Sequence, residues 1–500
     1  MSACTALYRR VDLPAEALRL LAYGDPQHFP VLLDSSATGP LGRHSILAAY
    51  PQASLWLERD GQLHSEGLDP MQAEPGFVPA LQMHWQREAA ALCTAGASEV
   101  PASAGPFHGG WMLFLGYEMA AQFEPQLQLP GAGNAAPLAL ALRIPAAVIF
   151  DHGSAQAWLM AEAGRPELLE RLAARLTRLP AAGEALAALQ RLPLPPLSLT
   201  EEAPERYRRS VERALEHIRA GDIYQANLAR CWRGVFADQT AVGDAGVGAA
   251  AQSGVDAAGL LGSVLYERLR YANPAPFAAF AQHRGWQLLS SSPERLVRTQ
   301  GRLVETRPIA GTRPRSRRPG EDARELAALI ANPKERAEHV MLVDLERNDL
   351  GRICEAGSVR ADEILFTESY AHVHHIVSSV TGRLRADVSP LQVLRAVFPG
   401  GTITGCPKFR CMQIIAQLEG QARGAYTGGI GYLNHDGSMD FNILIRSFEL
   451  SGRQLELRAG AGIVADSQWE RELAETRAKA RGLLAALDAP AATPAATDTV

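Results

Sequence analysis

The chain has 500 residues, of which 49 are Lys or Arg and 54 are Asp or Glu, giving a formal net charge of −5 with 47% hydrophobic residues. Its length predicts two domains or one large two-layered domain, and its small negative charge gives no electrostatic reason to bind nucleic acid or an anionic membrane. No apolar run approaches the roughly 20 residues that span a bilayer, and the first residues lack the apolar core of a signal peptide, so a cytoplasmic protein is expected.

The N-terminal part of the chain, 1–190, alternates short apolar runs with turn residues. Three of these runs predict strands or strand ends, at 30–36, 109–120 and 146–150. A proline-rich stretch at 192–199 then predicts a linker or an extended edge strand. We therefore expect this N-terminal region to be followed by a larger second region, 197–487.

An amphipathic helix opens the second region, starting at Pro204 and closing at Gly221. Residues 237–259 are poor in large side chains and predict a flexible surface insertion. The last residues, 488–500, have the composition of a disordered tail.

The rest of the second region groups its strands and helices separately. Residues 284–310 and 424–463 show the alternation of strands, and two helices are predicted between them, 321–332 and 334–349, with a break at Pro333. Because strands and helices do not alternate steadily, the pattern favours an α+β fold with largely antiparallel sheets.

Two pairs of glutamates have the spacing of one helix face. Glu335 and Glu338 form the first pair, and Glu472 and Glu475 form the second. Four carboxylates brought together would repel one another unless a cation lay among them, and an all-oxygen ligand set favours Mg²⁺. Either pair alone is also typical of a solvated helix face.

Several other residues lie at positions where they could bind a substrate or take part in a reaction. Glu294 follows a predicted strand, where partial burial would raise its pKa and allow it to act as an acid, although a turn glutamate has the same pattern. His375 could donate a hydrogen bond to a substrate, and Arg446 at the end of an apolar strand requires an anionic partner if it is buried. Gly460 and Gly462 allow backbone amides to approach a carboxylate, or simply form a tight turn.

An ordered set of segments resembles the chorismate-utilising enzymes, and within them component I of the aminodeoxychorismate and anthranilate synthases. The resemblance covers most of residues 200–487 and weakly the N-terminal third, and it is carried by GDIYQANL, SSPE, RPIAGTRPR, ERAEHVMLVDLERNDLGR, FPGGTITGCPK, GGIGYL and AGAGIVADSQWERELAET. It implies two packed, largely antiparallel β-sheets with helices on the outside and chorismate bound between the sheets.

The resemblance also implies roles for individual residues. Glu294 falls on the general acid that protonates the departing 4-hydroxyl group of chorismate. Glu338 and Glu475 fall on the principal Mg²⁺ ligands, with Glu335 and Glu472 assisting. The remaining implied substrate contacts are His375 and Thr402 beside the ring, Thr312 in the active-site strand, and Tyr426, Arg446, Gly460 and Gly462 around the enolpyruvyl carboxylate.

The residue at position 225, here Gln225, distinguishes between water and ammonia as the nucleophile. The relatives that add water have a lysine at this position to deprotonate it, whereas a neutral glutamine cannot act as a base and ammonia needs none. The resemblance therefore implies amination. Because the chain contains no GxCxG nucleophile of a glutaminase, a separate glutamine amidotransferase subunit is the expected ammonia donor.

Ala310 complicates the choice of the carbon that is aminated. The usual 4-amination enzymes carry a lysine there that attacks C2 of chorismate, whereas anthranilate synthases carry the PIAGT sequence found here. Other features resemble the 4-amination group, namely Asn227, NPAPF at 273–277, GGTITG at 400–405 and DFNILIRS at 440–447. Ammonia or water could take the part of the lysine.

On balance the sequence predicts an aminodeoxychorismate synthase component I that supplies 4-aminobenzoate for folate biosynthesis. Anthranilate synthase component I, which serves tryptophan biosynthesis, is the first alternative. An inactive regulatory subunit is the second alternative.

A second ligand site is suggested by LLDSS at 32–36, which resembles part of the tryptophan pocket of the family. The residues implied are Leu33, Asp34, Ser35, Asn273, Pro274 and Pro276. Feedback-inhibited enzymes usually carry LLES, so the aspartate predicts that tryptophan binds as a structural or regulatory ligand or does not bind.

Overall fold

The fold is known from a computed structural model that describes residues 6–37, 39, 41–69, 76–92, 104–131, 136–177, 179, 182–237, 259–314, 318–369 and 373–488. Nearly all of the predicted insertion at 237–259, and the predicted tail after Asp488, lie outside the described residues.

The strands of the described chain are β1 Ala6–Val11, β2 Val31–Asp34, β3 His44–Ala49, β4 Ala53–Leu57, β5 Leu63–Glu66, β6 Gly110–Leu115, β7 Ala139–Ile144, β8 Ala146–Asp151, β9 Gln156–Glu162, β10 Leu197–Glu201, β11 Gln225–Phe236, β12 Phe277–His283, β13 Trp286–Ser292, β14 Arg295–Gln300, β15 Leu303–Thr306, β16 Ile309–Pro314, β17 Arg360–Ser369, β18 Val373–Arg383, β19 Gly405–Cys406, β20 Gly429–Asn434, β21 Met439–Asn442, β22 Ser447–Ser451 and β23 Gln454–Ile463.

The helices are α1 Glu16–Gly24, α2 Phe77–Leu92, α3 Ala120–Phe123, α4 Glu167–Leu176, α5 Ala182–Arg191, α6 Pro204–Arg219, α7 Leu260–Ala272, α8 Pro319–Ala331, α9 Pro333–Gly351, α10 Pro390–Val397, α11 Lys408–Glu419 and α12 Trp469–Asp488. Short 3₁₀ turns occupy Tyr117–Met119 and Gly401–Ile403. Among these helices none is both long enough and apolar enough to cross a membrane, a statement limited to the described part of the chain.

Two large sheets organise these strands. In the first sheet the order is β1-β9-β8-β3-β2-β12-β13-β22-β23-β11-β10, with β19 paired to β11. In the second it is β16-β18-β15-β14-β21-β20-β6-β7-β4-β5, with β17 paired to β18. The strand pairings are antiparallel, as in β2–β12, β6–β20 and β11–β23, which confirms the predicted α+β class.

Strands of the N-terminal and C-terminal regions are hydrogen-bonded into the same sheets. Leu33 of β2 pairs with Ala279 of β12, and Leu113 of β6 pairs with Gly431 of β20. Both sheets therefore depend on pairings between residues that are far apart in sequence.

The faces that the sheets turn toward each other are apolar in their central part. Met112 and Phe114 of β6 pack in one cluster with Ile46, Trp286 and Leu288 of the first sheet. Helices cover the outer faces: α1, α7 and α12 pack on the first sheet, and α9 and α10 pack on the second. A strand in the central part of either sheet is therefore covered on both faces. The other sheet covers one face and helices cover the other.

Local signals explain the element boundaries. Helix α6 begins at Pro204, whose missing N–H group costs nothing in the first turn, and the chain leaves it through Gly221 at φ 79°. Strand β10 is an edge strand, which confirms the extended alternative for the proline-rich stretch. Pro333 separates α8 from α9 and occupies the first position of α9.

Candidate active site

The chain crosses between the two sheets at two neighbouring places. Ser292-Pro293-Glu294 leads from β13 in the first sheet to β14 in the second, and the segment Ile443–Arg446 leads back from β21 to β22. The two crossings are hydrogen-bonded together: the Ile443 N–H donates to the Glu294 carbonyl oxygen at 3.0 Å, and the Ser291 N–H donates to the Arg446 carbonyl oxygen at 3.1 Å. Glu294 and Arg446 are therefore held side by side between the sheets.

Glu294 lies in a site where a carboxyl group keeps its proton. Its side chain is 5% exposed. It accepts one hydrogen bond from the Thr402 hydroxyl at 2.8 Å and one from the backbone N–H of Ile309. Burial raises the pKa of Glu294 to about 7, although both hydrogen bonds oppose that rise. A carboxyl group with such a pKa can donate a proton near neutral pH, as the family role requires.

Arg446 faces the acid with an unusual backbone conformation. Its φ of 52° is uncommon for a residue with a side chain, and it turns the chain sharply before β22. Burial lowers the pKa of its guanidinium group, and the charge of Glu294 opposes this effect. Within the described ranges we find no hydrogen bond or salt bridge from this guanidinium group, so its fork of donors is available to a carboxylate.

A second wall of candidate residues is formed by β11 and β23, which are paired in the first sheet. A Cβ atom on Gly460 would lie 2.5 Å from Asn227 Oδ1 and 2.7 Å from the Tyr426 hydroxyl oxygen. A Cβ atom on Gly462 would lie 2.6 Å from Gln225 Nε2. These two positions therefore exclude any side chain, because three polar groups pack directly against the backbone of β23.

Two buried amide oxygens on β11 have no hydrogen-bond donor among the described residues. Gln225 is 8% exposed and Asn227 is 7% exposed. Neither Gln225 Oε1 nor Asn227 Oδ1 has a hydrogen-bond partner in the described part of the chain. Buried acceptors without a donor are costly, so both oxygens are suited to accept N–H groups of a ligand.

Helix α12 approaches the same wall and the acid. Lys479 donates to the Gly460 carbonyl oxygen at 3.0 Å and pairs with Glu475 at 2.8 Å. Its charge also acts on Glu294. Helix α12, which packs on the first sheet, thus comes near Glu294 through Lys479, a residue that the sequence analysis did not select. The signal that could have found Lys479 is its i,i+4 spacing from Glu475.

The glutamate pairs are only partly described. Glu338 is half-buried on α9, Glu472 is buried and Glu475 is exposed on α12, while the side chain of Glu335 lies outside the described part. After the larger effect of burial, the charges of Glu472 and Glu475 raise the pKa of Tyr207 further. Within the described ranges no group of three or more His, Cys, Asp and Glu side chains could hold a metal ion, so the Mg²⁺ site stays a prediction.

Three predicted residues lie on adjacent strands of the second sheet. Ala310 of β16 is paired with Ile376, and Thr312 is paired with His375 of β18. These positions follow Ile309, whose N–H reaches Glu294. The side chains of Ala310, Thr312 and His375 are outside what the structure describes, and their contacts stay predictions.

A separate cavity of ≈ 280 Å³ lies at the predicted second ligand site. Leu33, Asp34, Ser35 and Pro276 line it, as the sequence suggested, together with residues of the second sheet such as Arg295 and Asp440. Asn273 and Pro274 are not in its lining. Asn273 instead lies at the end of α7, with its amide donating to Ser291 Oγ at 3.3 Å.

Asp34 at this cavity is already paired. Arg270 donates to its Oδ2 at 2.6 Å, Tyr266 to the same oxygen at 3.2 Å, and Ser45 to its Oδ1 at 3.0 Å. Burial alone would raise the pKa of Asp34, but Arg270, Arg19 and these hydrogen bonds outweigh it and the pKa is lowered. Asp34 is therefore a structural anion.

The fold and this site define the class of protein. The family model for chorismate binding enzymes matches residues 43–242 and 261–485, so the chain belongs to the chorismate-binding enzyme family.

Similar proteins carry two different names. The chain is 40% identical over 452 residues to an "Anthranilate synthase component I-like protein" of Synechocystis, covering 90% of this chain and 83% of that one. It is 37% identical over 477 residues to "Aminodeoxychorismate synthase component 1" of Bacillus subtilis, covering 92% and 91%. The structure matches that of anthranilate synthase component I from Streptococcus pneumoniae with a TM-score of 0.71 at 31% identity, covering 89% of this chain and 93% of that chain.

Proposed function

We propose that this protein aminates chorismate with ammonia from a separate glutamine amidotransferase, giving 4-amino-4-deoxychorismate for 4-aminobenzoate and folate biosynthesis. In the net reaction an N–H bond of ammonia and the C4–O bond of chorismate break, a C4–N bond forms, and water leaves. The observation that best supports this proposal is the buried acid Glu294, together with the neutral, buried Gln225 on β11.

Glu294 supplies the proton for the leaving group. An ionised carboxylate at this depth is unfavourable, so the acid is partly protonated near neutral pH. Transfer of that proton to the 4-hydroxyl oxygen converts a poor leaving group into water. Thr402 fixes the orientation of the carboxyl group through its 2.8 Å hydrogen bond.

Arg446 and the β23 wall position the substrate. The guanidinium group suits a carboxylate of chorismate, and the Tyr426 hydroxyl group packs against the backbone of β23 at Gly460. Fixing the dicarboxylate ring between the two sheets sets its reacting carbon against the acid and the nitrogen donor, which is catalysis by positioning.

The nucleophile is expected at the β11 wall. The unpaired oxygens of Gln225 and Asn227 can accept N–H groups of ammonia, whereas neither amide can deprotonate water. This chemistry supports amination over hydroxylation.

Three of the markers that favour 4-amination have residues in the site: Asn227 itself, Thr402 of GGTITG and Arg446 of DFNILIRS. Asn227 packs against Gly460, next to the Tyr426 hydroxyl group. By contrast, Phe277 of the NPAPF segment lines the cavity beside Asp34 and packs against Arg295, so it concerns that cavity. The segments that contain Asn227, Thr402 and Arg446 therefore support 4-amination more directly than NPAPF does.

The second candidate is 2-amination to anthranilate. Ala310 in β16 and the relatives named anthranilate synthase component 1 favour it. Product identification separates the two candidates and also the inactive subunit: purified chain with chorismate, Mg²⁺ and an ammonium salt should give 4-amino-4-deoxychorismate, which a lyase converts to 4-aminobenzoate. Fluorescent anthranilate would replace the first proposal by the second, and no turnover would support the regulatory subunit.

We further propose that Mg²⁺ is required, held by Glu338 and Glu475 with Glu335 and Glu472 assisting. When bound, the ion would clamp a substrate carboxylate and draw electrons from the ring. Chelation should abolish activity and added Mg²⁺ should restore it. Glu338→Gln and Glu475→Gln should each abolish turnover without unfolding; unchanged turnover in either variant removes that residue from the site, and Glu470→Gln on the exposed side of α12 is the matched control.

The amidotransferase partner is tested by the nitrogen source. The chain alone should use ammonium salts but not glutamine, and glutamine-dependent turnover should appear only when the amidotransferase subunit is added. Glutamine use by the chain alone would show that it has its own glutaminase.

A further inference from the structure

Arg423 is a buried arginine that bonds to three segments of the candidate site. It is 2% exposed and lies four residues after Glu419, the last residue of α11. Neither residue was selected from the sequence, although their i,i+4 spacing is typical of an ion pair.

The guanidinium group of Arg423 makes as many hydrogen bonds as it has N–H donors. Two of them go to the Glu419 carboxylate, from Nε to Oε2 at 3.0 Å and from Nη2 to Oε1 at 2.6 Å. The other three go to the Asn227 carbonyl oxygen at 2.6 Å, the Ile403 carbonyl oxygen at 3.2 Å and the Thr427 hydroxyl oxygen at 3.4 Å. Because the guanidinium fork is planar and rigid, it fixes the positions of these acceptors relative to one another.

The first of these acceptors belongs to the β11 wall. Asn227 receives the bond from Arg423 on its backbone carbonyl oxygen, while its side-chain Oδ1 has no donor among the described residues. Glu419 holds the same strand two residues further on, because its Oε1 accepts the Ala229 N–H at 2.8 Å. The pair of Arg423 and Glu419 therefore fixes the part of β11 from which the Asn227 amide projects.

The other two acceptors adjoin residues with proposed roles. Ile403 follows Thr402, whose hydroxyl group donates to Glu294 at 2.8 Å. Thr427 follows Tyr426, whose ring centroid lies 5.7 Å from the central carbon of the Arg423 guanidinium group. One buried side chain thus connects the β11 wall, the turn that orients the acid and the turn that carries the tyrosine.

We propose that Arg423, anchored by Glu419, is a positioning residue that sets the distance between the Asn227 side chain and the acid Glu294. The inference rests on the proposed amination, in which the Asn227 amide accepts ammonia and Glu294 protonates the leaving group. Catalysis by positioning is sensitive to displacements of about 1 Å, so the loss of this connection should appear in turnover.

The test is a double-mutant cycle between Arg423→Lys and Asn227→Ala, measured as kcat/KM for ammonium at saturating chorismate. Arg423→Lys keeps the charge beside Glu419, but a single ammonium group cannot bridge acceptors on three segments. It should lower kcat/KM about 30-fold in the otherwise wild-type chain. In the Asn227→Ala background the same change should cost less than about fivefold, because the side chain that it positions is gone. A loss in that background within twofold of the loss in wild type overturns the proposal.

Arg143→Lys is the matched control. Arg143 is also buried, at 7% exposed, and its guanidinium group pairs with Glu162 at 2.7 Å and Glu88 at 2.7 Å, away from the candidate site. The change should lower stability and leave kcat/KM within about twofold of the parent in both backgrounds. A loss as large as that of Arg423→Lys would assign the effect to general destabilisation and overturn the proposal.

Glu419→Asp covers the case in which Arg423→Lys does not fold. It keeps the negative charge but withdraws the carboxylate by one methylene group, so that Arg423 and β11 lose their common anchor. We expect kcat/KM for ammonium to fall about tenfold in the otherwise wild-type chain and less than about threefold in the Asn227→Ala background. An unchanged kcat/KM, or equal losses in both backgrounds, overturns the proposal.

The proposed function fails in a different way. Anthranilate as the product, with the coupling between Arg423 and Asn227 intact, overturns 4-amination and supports the positioning role. An impaired Asn227→Ala variant with additive losses overturns the positioning role alone. Wild-type kcat/KM in Asn227→Ala would remove this amide from the ammonia site and overturn the positioning role with it.

Discussion

Glu294 and Asp34 are two buried acids that behave in opposite ways: Asp34 ends β2, and Glu294 follows the end of β13. Strand β12 lies between them: Ala278 is paired with Asp34 of β2 on one side and with Ser291 of β13 on the other. Glu294 has one hydroxyl and one backbone donor, and its pKa rises to about 7. Asp34 has an arginine and two hydroxyl donors, and its pKa is lowered. Burial is similar at both sites, so the partners decide which carboxyl group keeps a proton.

This contrast separates the proposed reaction centre around Glu294 from the structural site around Asp34. An acid that must release its proton needs an environment that favours neither form strongly, which Thr402 and the Ile309 N–H provide. A carboxylate that holds strands and helices together is best kept ionised, which Arg270 ensures for Asp34. The cavity beside Asp34 is thus lined by a carboxylate that is already paired with Arg270.

The largest expected effect is that of Glu294→Gln. Removing the general acid should lower kcat about 10³-fold with little change in chorismate binding, because such catalysis contributes roughly 10²–10⁴-fold. Steady-state kinetics and a binding titration measure the two quantities. Because the native pKa lies above the ordinary value, ionisation of Glu294 favours unfolding as pH rises toward 7, so the variant should be the more stable protein at pH 8. Retained turnover would show that another group is the acid.

Asp34→Asn should have the next largest effect, on stability. It leaves Arg270 buried without its anion, so we expect the free energy of unfolding to fall by about 3 kcal/mol while kcat is unchanged. Denaturant unfolding measures the loss. Asp387→Asn, in an exposed pair with Arg385 at 3.5 Å, is the control and should change stability by less than about 1 kcal/mol. A drop in kcat instead would connect the cavity to the chemistry.

The contrast between Glu294 and Asp34 should also appear in the pH dependence of activity and of stability, as an effect of intermediate size. Since Glu294 must be protonated, kcat/KM should fall about tenfold per pH unit above its pKa of about 7. The lowered pKa of Asp34 gives stability that is present at neutral pH and is lost only on acidification. A rate profile that stays flat to pH 9 would contradict the assigned acid.

The smallest expected effect is that of tryptophan. Because the Asp34 carboxylate already accepts bonds from Arg270, Tyr266 and Ser45, it has little capacity left for an ammonium group. Millimolar tryptophan should therefore change the rate less than about twofold. Calorimetry shows whether it binds without inhibiting, and strong inhibition would mean that the cavity is a feedback site.

The predictable parts of the fold are those that local patterns encode. A short apolar run predicted a strand at 146–150, which the structure shows as Ala146–Asp151, and a proline start with a glycine exit predicted the helix observed at Pro204–Arg219. The α+β class followed from the grouping of these elements. At the site, Glu294 and Arg446 were selected from sequence, and the structure places them together on adjacent crossings.

The sequence by itself thus determined the elements, the family and the chemical identity of the acid and the arginine. Tertiary structure alone decided which groups surround them. Thr402 lies 108 residues from Glu294, and its hydrogen bond to that acid has no local signature in the sequence. The physical reason is that the pKa of a carboxyl group depends on burial and on charges within a few ångströms, and only long-range strand pairing sets those distances.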